Sequence, residues 1–178
     1  MTNKEVRQAL DTFTIIVDSR EQETQKLIDR INQMEAPVIR RKLDFGDYSA
    51  KVQLPDGEEF SLERRACVER KMNFSELCGC FKSAKTVKSR ERFEREFNRA
   101  KEAHARLYLL VECATWEKAY KGDYRSMMKP QALIASMITW MVRYNSPIIM
   151  CQAATSGKLI RDILYREMKE ALTRLELF

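Results

Sequence analysis

The chain has 178 residues, 44% of them hydrophobic, and a formal net charge of +6, which is the size and composition of one domain with a buried core over residues 1–178. No apolar run approaches the ~18 residues that cross a bilayer, and residues 1–13 lack the apolar centre of a signal peptide. We therefore expect no association with a membrane and a cytoplasmic location in a bacterial or phage-infected cell. The positive charge favours a polyanionic partner.

The N-terminal part predicts a helix, a strand and a second helix. Residues 3–11 have the pattern of a short polar helix, and the β-branched run TIIVDS at residues 14–19 indicates a buried strand. In residues 23–34, ETQKLIDRINQM, apolar side chains recur at helical spacing, and Pro37 marks the end of this helix.

The next part predicts a meander of strands. Apolar and charged residues roughly alternate over residues 38–54, the turn PDGE follows, and residues 59–71 read EFSLERRACVERK. A Pro-Asp-Gly tip between two extended runs is typical of a hairpin.

Later segments alternate between helix and strand, which indicates an α/β domain. The five cysteines are odd in number and have no C-x-x-C spacing for zinc, so we predict reduced, mostly buried thiols. The predicted later elements are a helical stretch over 73–105 broken near Thr86, a strand over 106–113, a loop over 115–125, a helix over 130–144, a strand over 147–152 and a helix over 157–177.

Four carboxylates stand at predicted strand ends or in the turns that follow. Asp18 and Glu21 come at the end of the first strand, Asp47 follows Gly46, and Glu69 lies in VERK. Such ends commonly gather along one edge of an α/β sheet. Clustered carboxylates repel one another unless a cation neutralises them, and Mg²⁺ or Mn²⁺ binds through one or two carboxylates plus phosphate oxygens. The pattern therefore predicts metal-dependent phosphodiester hydrolysis.

The triplet Glu69-Arg70-Lys71 divides between two faces of its strand. Side chains at i and i+2 share a face, so Glu69 and Lys71 point one way and Arg70 the other. A lysine beside a metal site orients water or stabilises charge on a phosphate oxygen, whereas a simple ion pair is the alternative. The joint occurrence of Gly-Asp and, 22 residues later, Glu-x-Lys favours the chemical role.

Each acid taken alone also has an ordinary explanation. Asp47 could be a turn residue, and Glu21 could begin the helix that follows. Asn73 and Glu76 have the spacing of a helix capping box, which is a structural motif without a catalytic role.

Three motifs together carry a family resemblance. VDSRE, GDY and VERK, in this order, resemble the nuclease domain of the XPF/Hef-type structure-specific endonucleases, whose core motif is Gly-Asp, a gap, then Glu-Arg-Lys-x-x-x-Asp. SRERFEREFNRAK and LYLLVE are similar to the compact single-domain versions of phages and bacteria. The resemblance implies a restriction-endonuclease-like fold with a central mixed sheet flanked by helices, Mg²⁺ or Mn²⁺ as cofactor, and DNA cleavage near junctions of duplex and single strand.

The resemblance also implies residue roles, with two departures. The final Asp of the family motif falls at Ser75, beside Glu76, and this chain shows no tandem helix-hairpin-helix module, so the preference for junctions rests on the resemblance alone. Matching motif to motif implies metal ligands Asp47, Glu69 and Asp18, catalytic residues Asp18, Glu21, Asp47, Glu69 and Lys71, and phosphate or structural partners Arg20 and Arg70.

A basic stretch directly after these motifs predicts DNA binding. Phosphate neutralisation by such a patch gives affinity that does not depend on sequence and falls steeply with salt. The alternative for its arginines is a solvated helix in which Glu91, Glu94 and Glu96 pair with them, while no acid is interleaved among its lysines. The DNA-binding candidates in this stretch are Lys82, Lys85, Lys88, Arg90 and Arg92, with Arg95 beside them.

We therefore predict a metal-dependent DNA endonuclease acting on branched or partly single-stranded DNA, with a homodimer left open. One rival is a DNA-binding or assembly module that keeps the fold and has lost cleavage. The retained Glu-x-Lys pair argues against it, because a binding module has no need for acids that repel phosphate. A restriction or repair nuclease that reads a sequence would use the same site.

Overall fold

The structure is a computed structural model that describes residues 1–81 and 87–174, the side chains of 87–89 excepted. Its strands are β1 (Thr14–Asp18), β2 (Val38–Arg41), β3 (Tyr48–Gln53), β4 (Glu59–Ser61), β5 (Ala66–Lys71), β6 (Arg106–Glu112) and β7 (Ile148–Cys151). Its helices are α1 (Asn3–Leu10), α2 (Gln25–Met34), α3 (Phe74–Phe81), α4 (Val87–Glu102), α5 (Trp116–Lys121), α6 (Pro130–Tyr144) and α7 (Ser156–Arg174).

The strands form one mixed sheet in the order β2-β1-β3-β5-β6-β7, with β4 paired to β3 alone. β3 runs antiparallel to both β1 and β5, whereas β5, β6 and β7 are parallel neighbours. Helices pack on both faces, so the predicted α/β class with a central mixed sheet is confirmed. No helix among the described residues combines the length and the apolar character needed to cross a membrane.

The predicted meander is correct only in its second half. β3 and β4 form the antiparallel hairpin around the Pro-Asp-Gly tip, but β2 lies parallel to β1 and is not paired with β3. The helix α2 makes β1-α2-β2 a crossover unit, and such units join parallel strands. An edge strand with one solvated side alternates apolar and charged residues just as a hairpin strand does, so the pattern alone could not separate the two.

The two faces of the sheet bury two separate cores. Val68 and Leu110 face the core formed with α1, α2 and α7, whereas Cys67 and Leu109 face the core formed with α3, α4, α5 and α6. This alternation along β5 places Glu69 and Lys71 on the face of the second core and Arg70 on the face of the first.

Two elements differ from the sequence expectation. The predicted loop over 115–125 contains the short helix α5, which begins after the N-cap Thr115, and Trp116 packs against the second core. Two cysteines are buried, two are half-buried and Cys113 is exposed, so the thiols are less uniformly buried than predicted. The predicted break near Thr86 lies outside the described residues.

Candidate active site

Asp47 is fixed by its backbone between two strand ends. Its N–H donates to the carbonyl of Val68 on β5 at 2.8 Å, and its own carbonyl accepts the N–H of Asp18 on β1 at 2.8 Å. Its carboxylate accepts the N–H of Arg70 at 2.7 Å. Because β3 is antiparallel to both neighbours, its first residues meet the last residues of β1 and β5, and this geometry brings the predicted acids to one edge.

Gly46 makes this placement of Asp47 sterically possible. Its φ is +72°, in the left-handed region that favours glycine. A Cβ on Gly46 would lie 2.9 Å from Cβ of Cys67 and 3.2 Å from the carbonyl oxygen of Val68. The glycine of the Gly-Asp motif is therefore required by the close packing of the chain against β5.

Glu69 and Lys71 share one face of β5, as the strand alternation predicts. Nζ of Lys71 donates to Oε1 of Glu69 at 2.5 Å, and both residues are buried. Arg70 points to the opposite face, where its Nε lies 3.5 Å from Oε1 of Glu112. The alternation of side chains along β5 is confirmed. The contact with Glu112 supports a structural role for Arg70, and phosphate binding by Arg70 stays a prediction.

A pocket of about 380 Å³ opens at this edge of the sheet. Among its lining residues, acidic ones outnumber basic ones by five to three, an excess of negative charge that a divalent cation would offset. The charged residues that line it are Glu21, Asp47, Glu69, Glu76 and Glu96, together with Lys71, Arg92 and Arg70, although Nε of Arg70 approaches Glu112 on the other face of β5.

The surroundings disfavour the charged form of Asp47 and favour the charged form of Lys71. Burial, followed by repulsion from Glu69, raises the pKa of the Asp47 carboxyl well above its usual range. Burial alone would lower the pKa of the Lys71 ammonium, but the carboxylates of Glu69 and Asp47 outweigh it and raise that pKa. The ammonium also lies 5.0 Å from the centre of the Phe93 ring on α4. Lys71 is therefore charged at neutral pH and held in the pocket.

Glu96 on α4 is the site residue that the sequence interpretation missed. It lines the pocket and is only 7% exposed, and burial, followed by repulsion from Glu69, raises its pKa to about 7. Its ion pair with Arg92 spans 3.7 Å. A signal was present in the sequence, because Glu96 stands on the stripe of Phe93, Phe97 and Ala100, which is the buried stripe of this helix.

Asp18 and Glu21 occupy different places. The buried Asp18 carboxylate accepts the N–H of Arg20 at 2.9 Å and pairs with its guanidinium, which also donates to the carbonyl of Leu43 at 2.8 Å. Asp18 is not among the residues that line the pocket, and its carboxylate is paired with Arg20, so its role as a metal ligand and a phosphate-binding role of Arg20 stay predictions. Glu21 does line the pocket.

Ser75 stands where the family motif has its final Asp, and the residues around it, Asn73 and Glu76, form a helix cap. Oδ1 of Asn73 accepts the N–H of Glu76 at 3.0 Å, and Oε2 of Glu76 accepts the N–H of Met72 at 2.7 Å. The return bond goes to the residue before Asn73, whereas an ordinary capping box returns it to the N-cap itself. Glu76 thus caps α3 and also lines the pocket.

The basic stretch is described only in part. Lys82 and Lys85 lie outside the described residues, as does the side chain of Lys88. Arg90 pairs with Glu94 over 3.9 Å, which fits the solvated-helix alternative. Arg92 stands at the pocket with its side chain 70% exposed, so it remains accessible to a polyanion.

A larger cleft of about 1080 Å³ lies at the other end of β5 and β6 and is lined by residues such as Arg65, His104 and Arg166. Some of its charges pair off, as in the ion pair of Arg106 with Glu167. It contains none of the clustered strand-end acids, so size alone does not identify the reactive site.

Comparisons with known proteins cover most of the chain. The ERCC4 domain matches residues 17–163. XPF from Aeropyrum pernix is similar in structure, with a TM-score of 0.60 and 17% identity over 92% of this chain and 69% of that one. XPF from Aeropyrum pernix in complex with DNA gives a TM-score of 0.56 and 19% identity over 89% of this chain and 66% of that one. The chain thus spans about two thirds of those chains, and the likeness confirms the restriction-endonuclease-like fold. No curated protein matches the chain in sequence.

Proposed function

Because the chain belongs to the ERCC4 domain family, we propose that it is a DNA endonuclease that needs Mg²⁺ or Mn²⁺ and hydrolyses phosphodiester bonds, with Asp47, Glu69 and Lys71 at its centre. One observation carries the proposal. The carboxylates of Asp47 and Glu69 and the ammonium of Lys71 line one pocket with an excess of negative charge.

The donor set of this pocket fits a hard divalent cation. Asp47 and Glu69 offer carboxylate oxygens from adjacent strands, and the raised pKa of Asp47 means that its charge is poorly compensated without a cation. No three His, Cys, Asp or Glu side chains in the described part of the chain are grouped so that they could enclose a metal ion. Mg²⁺ does not need such a cage, since it usually keeps several waters and binds through one or two carboxylates plus substrate phosphates.

Each residue then has a defined task. Asp47 and Glu69 would hold the cation, and a bound cation supplies Lewis-acid polarisation of the scissile phosphate. Lys71 places a positive charge where negative charge builds up on a phosphate oxygen during water attack. Buried against Phe93, this ammonium acts in surroundings where water screens it little.

Metal dependence is tested by incubating labelled DNA with the purified protein and Mg²⁺, Mn²⁺ or excess chelator. We expect nicking only with a divalent cation, and calorimetry should show that Asp47→Asn weakens binding of Mn²⁺ in the absence of DNA. Equal cleavage in chelator would contradict the metal mechanism. Metal binding without cleavage of any DNA or RNA would favour the rival binding module.

The preference for branched or partly single-stranded DNA follows from the family resemblance and is part of the proposal. A panel of flaps, forks, nicked duplex and intact duplex, with cut positions mapped on each strand, tests it. Cuts clustered at the junction support this substrate class. Cuts at one base sequence in every substrate, intact duplex included, would instead identify a nuclease that reads a sequence. The homodimer and the cytoplasmic location remain predictions.

A further inference from the structure

α4 presents two side chains to the pocket beside Lys71. The ring of Phe93 lies 5.0 Å from Nζ of Lys71, and Glu96 follows three residues later on the same helix. Residues three apart on a helix are neighbours on one face. Phe93 and Glu96 are both buried and both line the pocket, so the Glu96 carboxylate is directed to the region that holds the ammonium.

The proposed cation and Lys71 compete for one carboxylate. Nζ of Lys71 is bonded to Oε1 of Glu69 at 2.5 Å, and the Lys71 side chain is only 11% exposed. A cation that binds Glu69 takes up the negative charge that now balances the ammonium. Because a buried charge without a partner is costly, the ammonium then requires another carboxylate nearby.

Glu96 is available for this task. No hydrogen bond to its carboxylate is formed within the described residues, and its ion pair with Arg92 is long, at 3.7 Å. Of the other acids that line the pocket, Asp47 accepts the N–H of Arg70 and Glu76 accepts the N–H of Met72, whereas Glu21 follows β1 and is only half-buried.

We propose that Glu96 is the positioning residue for Lys71, receiving its ammonium when Glu69 binds the divalent cation and holding it at the scissile phosphate. This role rests on the proposed nuclease function. It explains why a carboxylate is buried on a helix whose other acids are at least partly exposed, since the described structure gives Glu96 no stronger partner of its own.

The kinetic test is a double-mutant cycle of Glu96→Gln and Lys71→Ala, with Glu91→Gln as the matched control, because Glu91 is exposed on the same helix. We expect Glu96→Gln to lower kcat roughly 10- to 100-fold with little change in KM, as is typical for residues that orient a reacting group. In the Lys71→Ala background it should cost no more than about twofold, because its target is gone. An equal loss in both backgrounds, or a similar loss for Glu91→Gln, would overturn the proposal.

A second measurement needs no cleavage. The Lys71 ammonium is observed by NMR of protein with ¹⁵N-labelled lysine, assigned through Lys71→Ala, while Mg²⁺ is added without DNA. In the wild type and in Glu91→Gln the signal should shift and persist, whereas in Glu96→Gln it should broaden or vanish as Mg²⁺ binds. A signal that persists in Glu96→Gln would overturn the positioning role, and loss of Mg²⁺ binding in that variant would make Glu96 a ligand instead. A wild type that shows the shift but cleaves no DNA would refute the nuclease function and leave the positioning intact.

Discussion

At Glu96, burial disfavours the charged form of the carboxyl, and this makes the stability of the fold depend on pH in a direction that can be measured. Its pKa is raised from 4.5 to about 7, first by burial and then by Glu69, so the folded protein favours the protonated carboxyl. A group with a raised folded-state pKa contributes stability that is present below its unfolded-state pKa and lost as pH rises through the folded value. The contribution of Glu96 to the free energy of unfolding should therefore disappear as pH rises from about 4.5 to about 7.

Glu96→Gln removes this titration. In chelator, its melting temperature should exceed that of the wild type above about pH 7 by several degrees, corresponding to a free energy on the order of 1–3 kcal/mol, and the difference should shrink towards about pH 4.5. Thermal unfolding across this range measures it. A constant difference at every pH, or an equal gain in Glu91→Gln, would show that the Glu96 carboxyl does not titrate as inferred.

The ion pair of Glu69 with Lys71 in the pocket gives a second prediction. Glu69→Gln and Lys71→Ala should each lower the cleavage rate by about 100- to 1000-fold, since one well-placed electrostatic group in such a site is typically worth ~3 kcal/mol. Neither should weaken DNA binding much, and Glu69→Gln should tighten it by removing a repelling charge.

Arg70→Ala is the matched control because its side chain lies on the other face. It should lose stability and keep most of the chemistry. Rates, DNA affinity and melting temperature are measured for the three variants. If Arg70→Ala abolishes cleavage with fold and binding intact while Lys71→Ala leaves it unchanged, the assignment of faces is wrong.

At the scale of elements, a buried polar network behind the sheet holds the strand ends in place. Nε of Arg30 on α2 donates to Oε1 of Glu112 at the end of β6 at 2.9 Å, and its Nη1 donates to the hydroxyl of Tyr48 at 3.0 Å. Arg70 approaches the same carboxylate oxygen at 3.5 Å. The residues that precede Tyr48 and Arg70 are Asp47 and Glu69, so this network joins α2 and β6 to the two strands that carry the proposed ligands.

Arg30→Met should therefore be strongly destabilising. Breaking a buried ion pair from one side typically costs about 3–5 kcal/mol, because the remaining charge is left poorly compensated. Lys158→Met is the control, since Lys158 and its partner Glu35 are both exposed and such pairs contribute about 0–1 kcal/mol. Urea unfolding of both variants gives the comparison, and equal losses would contradict the importance of burial.

α2 and α7 approach each other closely on the same face of the sheet as this network. A Cβ on Gly157 would lie 2.2 Å from the carbonyl oxygen of Arg30, and the N–H of Gly157 donates to Oε1 of Gln33 at 2.9 Å. Only glycine allows this contact, which packs the start of α7 directly against the part of α2 that carries Arg30.

At the scale of the whole molecule, a net charge of +6 coexists with a pocket whose lining is net acidic. Under the proposed function, DNA affinity comes from basic surface outside the pocket, and the cation offsets the acids inside it. Replacing Lys82, Lys85 and Lys88 together by Ala should weaken binding to every DNA sequence. It should also flatten the dependence of log affinity on log salt by about 0.9 for each DNA phosphate that these lysines no longer neutralise.

A matched control replaces three exposed lysines on α1 and α7, namely Lys4, Lys158 and Lys169. It changes the net charge equally and should leave the salt slope nearly unchanged. Equal flattening in both triple variants would mean that net charge and not a defined DNA track governs affinity.

Local rules alone were enough to find the centre of the candidate site. The alternation of a strand assigns Glu69 and Lys71 to one face, and the apolar runs place Asp18 and Glu69 at or near the ends of predicted strands. These properties depend on residues adjacent in sequence, so they can be derived from the chain without knowledge of its fold. The catalytic roles of these residues remain predictions.

The tertiary structure decided what depends on contacts between distant segments. The N–H of Asp18 meets the carbonyl of Asp47, Glu96 is buried beside Lys71 by the packing of α4, and Arg30 meets Glu112 across 82 residues of sequence. The helical stripe of α4 indicates that Glu96 is buried, but a carboxylate has the same local sequence signature whether it faces an arginine or a pocket. Only the packing of helices on the sheet fixes its dielectric surroundings and its neighbours, and these determine its pKa and its chemical role.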